Sequence, residues 1–159
     1  MSKRLKIGID YHGVITQNPA FFGELTSLAL KENHQIVVLS GAKAQDVEAY
    51  LLQNNISYSA VFSLLDYFQA RELATFYEDG SFFVPSVLWD RAKADYCLKH
   101  GVDLHIDDSM LYGTYFQTPF CLYSKKGERC TFIKKNVVLD FQKSAKEVLS
   151  DIVSALGQF

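Results

Sequence analysis

Three short apolar runs in this chain stop on polar residues. LKIGID (5–10) ends at Asp10, QIVVLSG (35–41) at Ser40-Gly41, and DLHIDDS (103–109) at Asp107-Asp108. TPFCLYS (118–124) is a fourth run of the same kind. QIVVL is apolar without alternation, which predicts a strand buried on both faces, as in a parallel sheet with helices on either side. Helical patterns fill the intervals. Asn18-Pro19 reads as an N-cap followed by proline at the first helical position. Phe21, Phe22, Leu25, Leu28 and Ala29 then recur at helical spacing as far as Asn33. Lys43–Asn54 predicts a second helix with Ala44, Val47, Tyr50 and Leu51 inward. A third runs from Pro85 through Lys99 and stops at Gly101. Phe141, Ala145, Val148, Leu149, Ile152, Val153 and Leu156 place an amphipathic helix last. Ser59–Leu65 reads as a strand, and FYEDGSFFV (76–84) as a hairpin turning at Asp79-Gly80. The alternation predicts an α/β fold: a doubly wound, mostly parallel, Rossmann-like sheet in a single domain over 1–159, with at most a small hairpin insert at 66–84.

Composition narrows the partners. The 159 residues suffice for one core, and 48% hydrophobic with 21% charged residues is ordinary for a globular chain. A net charge of −2 gives no electrostatic reason to expect nucleic acid or an anionic membrane. The KK pairs at 125–126 and 134–135 read as solvated surface. Cys97, Cys121 and Cys130 lack CxxC spacing and sit in apolar contexts, so buried free thiols are expected rather than a disulfide framework or a zinc site. MSKRLKIGID has no apolar signal core, and no stretch approaches the length of a membrane span. The cytoplasm is the expected compartment.

In a parallel sheet the carboxyl ends of the strands converge, so Asp10, Ser40, Asp107 and Asp108 are expected at one edge. Carboxylates gathered there repel one another unless a positive charge lies between them. Magnesium suits such a site, because it takes hard oxygen ligands and keeps waters or a phosphate. The Ser40 hydroxyl and the backbone around Gly13 and Gly41 would receive phosphate oxygens, and glycine permits a sharp turn and close approach. A lysine from the helix after Pro85 would complete the charge balance. Such an ensemble suits phosphoryl transfer.

IGIDYHGVIT (7–16), VVLSG (37–41), a lysine-bearing helix and HIDDS (105–109), in that order, resemble the four motifs of the haloacid dehalogenase superfamily. The resemblance implies a magnesium-dependent phosphohydrolase. In that reading Asp10 is the nucleophile that forms an aspartyl-phosphate and also binds magnesium. Ser40 would bond the transferring phosphoryl group, and Lys93 would hold it, with Arg91 as the fallback. Asp107 and Asp108 would bind the metal directly or through water. The expected substrate is a small phosphate ester, a nucleotide among the candidates, and the oligomeric state is left open.

The family pattern has a second acid where this chain has His12. Its carbonyl keeps a metal-binding role for any side chain, so His12 counts among the metal ligands on that ground. Its side chain leaves three alternatives open. His12 replaces the acid as general acid and base, for which an imidazole is suited near neutrality. Or it contributes little, and turnover is slower by about 10²–10⁴-fold. Or the chain has left catalysis and binds a phosphorylated ligand or a protein partner.

Family members set specificity with cap insertions, and here no large cap fits between Asp10 and Ser40. Residues 66–84 form a hairpin projection at most. Phe68, Phe76, Tyr77, Phe82, Phe83 and Trp89 either line a pocket that stacks a base or sugar or, in the preferred account, pack as the core of the hairpin. A phosphoacceptor receiver domain shares the ingredients, but its acid pair follows the first strand rather than a late one.

Overall fold

The computed structural model describes residues 3–124, 129–131 and 138–157. The first stretch alternates strand and helix: β1 (Lys6–Asp10), α1 (Pro19–Lys31), β2 (Gln35–Ser40), α2 (Ala44–Gln53), β3 (Ala60–Ser63) and α3 (Leu64–Ala70). Next come β4 (Thr75–Phe76), β5 (Phe82–Phe83), α4 (Ser86–Lys99), β6 (Leu104–Asp107), α5 (Met110–Gly113) and β7 (Phe120–Leu122). β8 (Arg129–Thr131), β9 (Val138–Asp140) and α6 (Ala145–Leu156) complete it.

Five strands form one parallel sheet in the order β3-β2-β1-β6-β7, while β4-β5 and β8-β9 are antiparallel pairs. The α/β reading from strand-helix alternation is therefore what the chain adopts. Successive residues of β2 explain the unbroken apolar run. Ile36 and Val38 join the core under α1, α2 and α6, whereas Val37 and Leu39 join the opposite core under α4, with Cys97 and Phe120. Side chains alternate across a strand, so both sets must be apolar when both faces are covered.

The element ends follow local chemistry. Asn18 Oδ1 accepts from the Phe21 amide at 3.2 Å and caps α1. Ser144 accepts from the Glu147 amide at 3.2 Å and so caps α6, and its hydroxyl donates to the Glu147 carboxylate at 3.0 Å.

Three expectations need correction. The strand read over 59–65 stops at Ser63, whose hydroxyl accepts from the Asp66 amide at 3.1 Å and caps α3. The apolar run crosses from strand into helix there, so composition alone gave no boundary. Second, the hairpin turns at Asp79-Gly80 as expected, but its aromatics do not form a core. Phe76, Tyr77 and Phe83 are about half exposed at 45%, 52% and 53%, and two-residue strands have no second layer to bury them. Phe68 is buried, while Trp89 packs beside it with ring centroids 6.1 Å apart. Third, α5 and the β8-β9 pair were absent from the expectation. The KK pairs at 125–126 and 134–135 and the Cys130 side chain lie outside the described residues. Cys97 and Cys121 are buried and not in disulfides. Among the described residues no helix is long and apolar enough to cross a membrane.

Candidate functional site

The sheet runs outward from β1 in both directions, so its topological switch lies between β1 and β6. The loops leaving those two strands diverge to opposite faces and leave a crevice at their carboxyl ends. Asp10 closes β1 and Asp107 closes β6. The carboxylates of Asp10, Asp107 and Asp108 each offer an oxygen within 4.8 Å of the others.

Lys93 enters from α4, with its Nζ 2.7 Å from Asp10 Oδ1 and 2.8 Å from Asp107 Oδ2. All three side chains are almost wholly buried. Arg91, two residues earlier, is exposed and reaches Asp95 at 4.0 Å instead. A helix turns about 100° per residue, so two residues apart means opposite sides, and Lys93 is the cation of this site.

Asp107 is the anchor of the group. Its Oδ1 accepts from the Ser109 amide at 3.0 Å, and its Oδ2 receives His105 Nε2 at 2.9 Å as well as Lys93. His105 is fully buried and stacks on Phe116 with centroids 5.0 Å apart. Its Nδ1 has no hydrogen-bond partner. The sequence reading missed His105, because within DLHID it reads as one more position of a buried strand. Its signal was the two-residue spacing to Asp107, which puts both side chains on one face of the strand.

The electrostatics follow from this geometry. Burial raises Asp10 strongly, and the nearby Asp107 and Asp108 charges add to it. Lys93 offsets only part, so the carboxyl is pushed up to about 8. Burial also acts upward on Asp107, but the His105 hydrogen bond and the Lys93 charge outweigh it and hold that carboxyl well below the usual range. Burial works to lower Lys93, and the two facing carboxylates overcome it and raise it. Burial lowers His105.

The chain leaves β1 through a wide turn, Tyr11–Ile15, closed by the Thr16 amide on the Tyr11 carbonyl at 3.1 Å. Within it Gly13 takes φ +79°, a left-handed conformation that favours glycine. A Cβ at Gly13 would also run into the Asp108 carboxylate. The Gly13 amide donates to Thr16 Oγ1 at 3.0 Å, so it serves the turn. His12 is exposed, with its ring 4.7 Å from that of Tyr11.

A cleft of about 380 Å³ opens over this arrangement, lined by Asp10, His12, Gly13, Gly41, Lys93 and Asp108 among others. Trp89 and Tyr112 wall it, joined by a 3.3 Å hydrogen bond from the indole to the phenol oxygen. Gly41 lies under Trp89, where a Cβ would come within 2.8 Å of the indole ring. Two expected site residues are placed below the cleft rather than in its lining. Asp107 is fully buried. Ser40 is buried too, and its hydroxyl oxygen accepts from the Ala42 amide at 3.0 Å, pinning the turn after β2. That turn is held further by Ser63 Oγ donating to the Ala42 carbonyl at 2.6 Å and by the Ala44 amide donating to Asp66 at 3.0 Å.

No protein-family model matches the chain, and no curated protein matches it. Among solved structures it is similar to a glycosyltransferase from Rickettsia africae ESF-5, with 13% identity and a TM-score of 0.45. The match covers 77% of this chain and 31% of that one, so the chain spans less than a third of that protein's length. A likeness this distant transfers no activity. The family expectation is nonetheless corrected: no family model matches the chain, that of the haloacid dehalogenase superfamily included. The haloacid dehalogenase assignment is corrected accordingly, and with it the phosphohydrolase, the aspartyl-phosphate on Asp10 and the acid/base role of His12. The physical reason is that short motifs at strand ends carry an architecture and a place for a ligand, whereas a reaction is set by the site as a whole. What stands is a Rossmann-like α/β chain with a charged cleft at its switch point.

Proposed function

We propose that this cleft is a magnesium-dependent binding site for a small phosphate-bearing ligand. The observation that carries the proposal is the convergence of three carboxylates within 4.8 Å beside one buried lysine, at the switch point of a parallel sheet. The donor set fits the ion: hard carboxylate oxygens suit magnesium, and carboxylates this close repel one another unless a cation lies among them. Asp10 and Asp108 line the cleft and would hold the ion, while Asp107 supplies charge from beneath. Magnesium in such a site keeps positions for waters or phosphate oxygens and neutralises their charge.

The remaining residues shape the place of the phosphate. Lys93 lines the cleft and brings its ammonium to the cleft floor. The glycines at 13 and 41 let the Asp108 carboxylate and the Trp89 indole close against their backbone and form the cleft walls. Trp89 and Tyr112 give flat walls for the organic part, and a nucleotide is the first class to try. Isothermal titration tests the reading. Nucleoside monophosphates should bind the wild-type protein when magnesium is present and lose most of that affinity when it is chelated. Asp108→Asn should weaken magnesium binding about tenfold or more, as expected for loss of one charged ligand. Phosphate ligands that bind equally well with and without magnesium would refute the proposal.

A further inference from the structure

A second cavity lies elsewhere in the molecule. A pocket of about 570 Å³ lies between α3 and α4 and shares no lining residue with the charged cleft. α4 divides the two: Lys93 turns toward the cleft, while Leu88, Ala92, Asp95 and Lys99 recur every three or four residues along the side that faces the pocket.

The walls are aromatic and ordered. Phe62 stacks on Tyr96 with centroids 4.3 Å apart and 23° between planes, and Tyr96 stacks in turn on His100 at 4.2 Å and 29°. Tyr67 meets Phe62 edge-on at 5.4 Å. The rim is cationic. Arg71, Arg91 and Lys99 surround the opening against a single acid, Asp95, although the chain as a whole carries −2. Arg71 lies 3.6 Å over the Tyr67 ring and donates to the Tyr67 carbonyl at 3.3 Å, so its guanidinium is held at the edge of the aromatic wall. Arg91 has only the 4.0 Å approach to Asp95, with both side chains more than half exposed.

We infer that this pocket is a second ligand site, for a small flat aromatic molecule that carries a phosphate, sulfonate or carboxylate. The volume falls within the range of small-molecule pockets, with an apolar interior and a few placed polar groups. The flat body extends the column of stacked rings. The anionic group meets arginines, whose planar forks pair with carboxylate and phosphate oxygens and whose charge attracts no neutral analogue. The site stands independently of the magnesium reading, since it uses none of the same residues.

The test uses the full chain and two dyes of nearly the same shape. 1-Anilinonaphthalene-8-sulfonate carries the anion; N-phenyl-1-naphthylamine lacks it. Trp89 is the sole tryptophan, walls the charged cleft and packs on Phe68 of this pocket, so energy transfer from it reports a dye bound at either place and its loss in Leu88→Glu assigns the dye to this one. The sulfonate should bind one per chain, quench Trp89, and bind about tenfold more tightly than the neutral dye, the size of effect expected for one charge-assisted contact. Arg71→Ala with Arg91→Ala should erase that difference while near-ultraviolet circular dichroism stays unchanged, both side chains being exposed. Leu88→Glu should block both dyes, and Phe83→Ser on the hairpin should change neither. Equal binding of the two dyes, an arginine variant indistinguishable from wild type, or loss of binding in Phe83→Ser would each overturn the inference.

Discussion

Asp10 and Asp107 both touch the same ammonium, yet they respond to it in opposite ways. Asp107 gains His105 and the Ser109 amide and stays ionised; Asp10 gains only Lys93 and is pushed up to about 8. The metal-free protein should therefore show two opposed pH effects. Folded Asp10 holds a proton that the unfolded chain releases above the ordinary carboxylate range, so its contribution is full in acid and is lost as pH rises through about 8. Asp107 contributes above the ordinary carboxylate range and is lost as pH falls below it. Urea unfolding in chelator from pH 5 to 9 should show stability declining toward the alkaline end, and Asp10→Asn should flatten that decline. A wild-type curve already flat there would contradict the assignment. Lys93→Met should cost about 3–5 kcal/mol without magnesium, because it strands buried carboxylates. His105→Leu should cost about 1.5–3 kcal/mol through loss of a hydrogen bond to a charged group. His105 was illegible in the sequence for the reason it matters: full burial in a strand makes it look like packing, and only the fold sets its ring against Asp107.

Elements were legible where periodicity had room to show. α1, α2, α4 and α6 are ten or more residues long; apolar spacing marked α1, α2 and α6, Asn18-Pro19 marked the start of α1, and Pro85 and Gly101 bracketed α4. α5 has four residues and α3 seven, too few turns for a period to stand out. The site tips Asp10, Asp107 and Asp108 were legible because apolar strands stopped on them. The buried placement of Ser40 was not, since a hydroxyl at a strand end suits a ligand and a turn equally; here Ala42 takes it. Two predictions belong at this scale. Ser144→Ala should lower stability by about 1 kcal/mol through loss of the α6 cap, measurable by urea unfolding. Phe83→Ser, on the exposed hairpin, should change stability by about 0.5 kcal/mol or less in the same assay.

Across the whole molecule, sheet order decides where the charge goes. β1 sits at the centre with β2 on one side and β6 on the other, so residues 10 and 107 become neighbours although nearly a hundred residues separate them. α4 then supplies a lysine that reaches both acids, and its opposite side builds a pocket of different chemistry. The strand-helix alternation foretold this architecture and the gathering of acids. It did not foretell a reaction, because reaction depends on how the whole cleft is furnished rather than on strand ends. The central claim is that Asp10 and Asp108, with the charge of Asp107 beneath them, hold a divalent ion, and anomalous diffraction from crystals soaked in manganese, a magnesium surrogate, tests it most directly. The account predicts one anomalous peak among the Asp10, Asp107 and Asp108 carboxylates, absent from Asp108→Asn crystals. A well-soaked crystal with no peak there, or with a peak unaffected by Asp108→Asn, would contradict it.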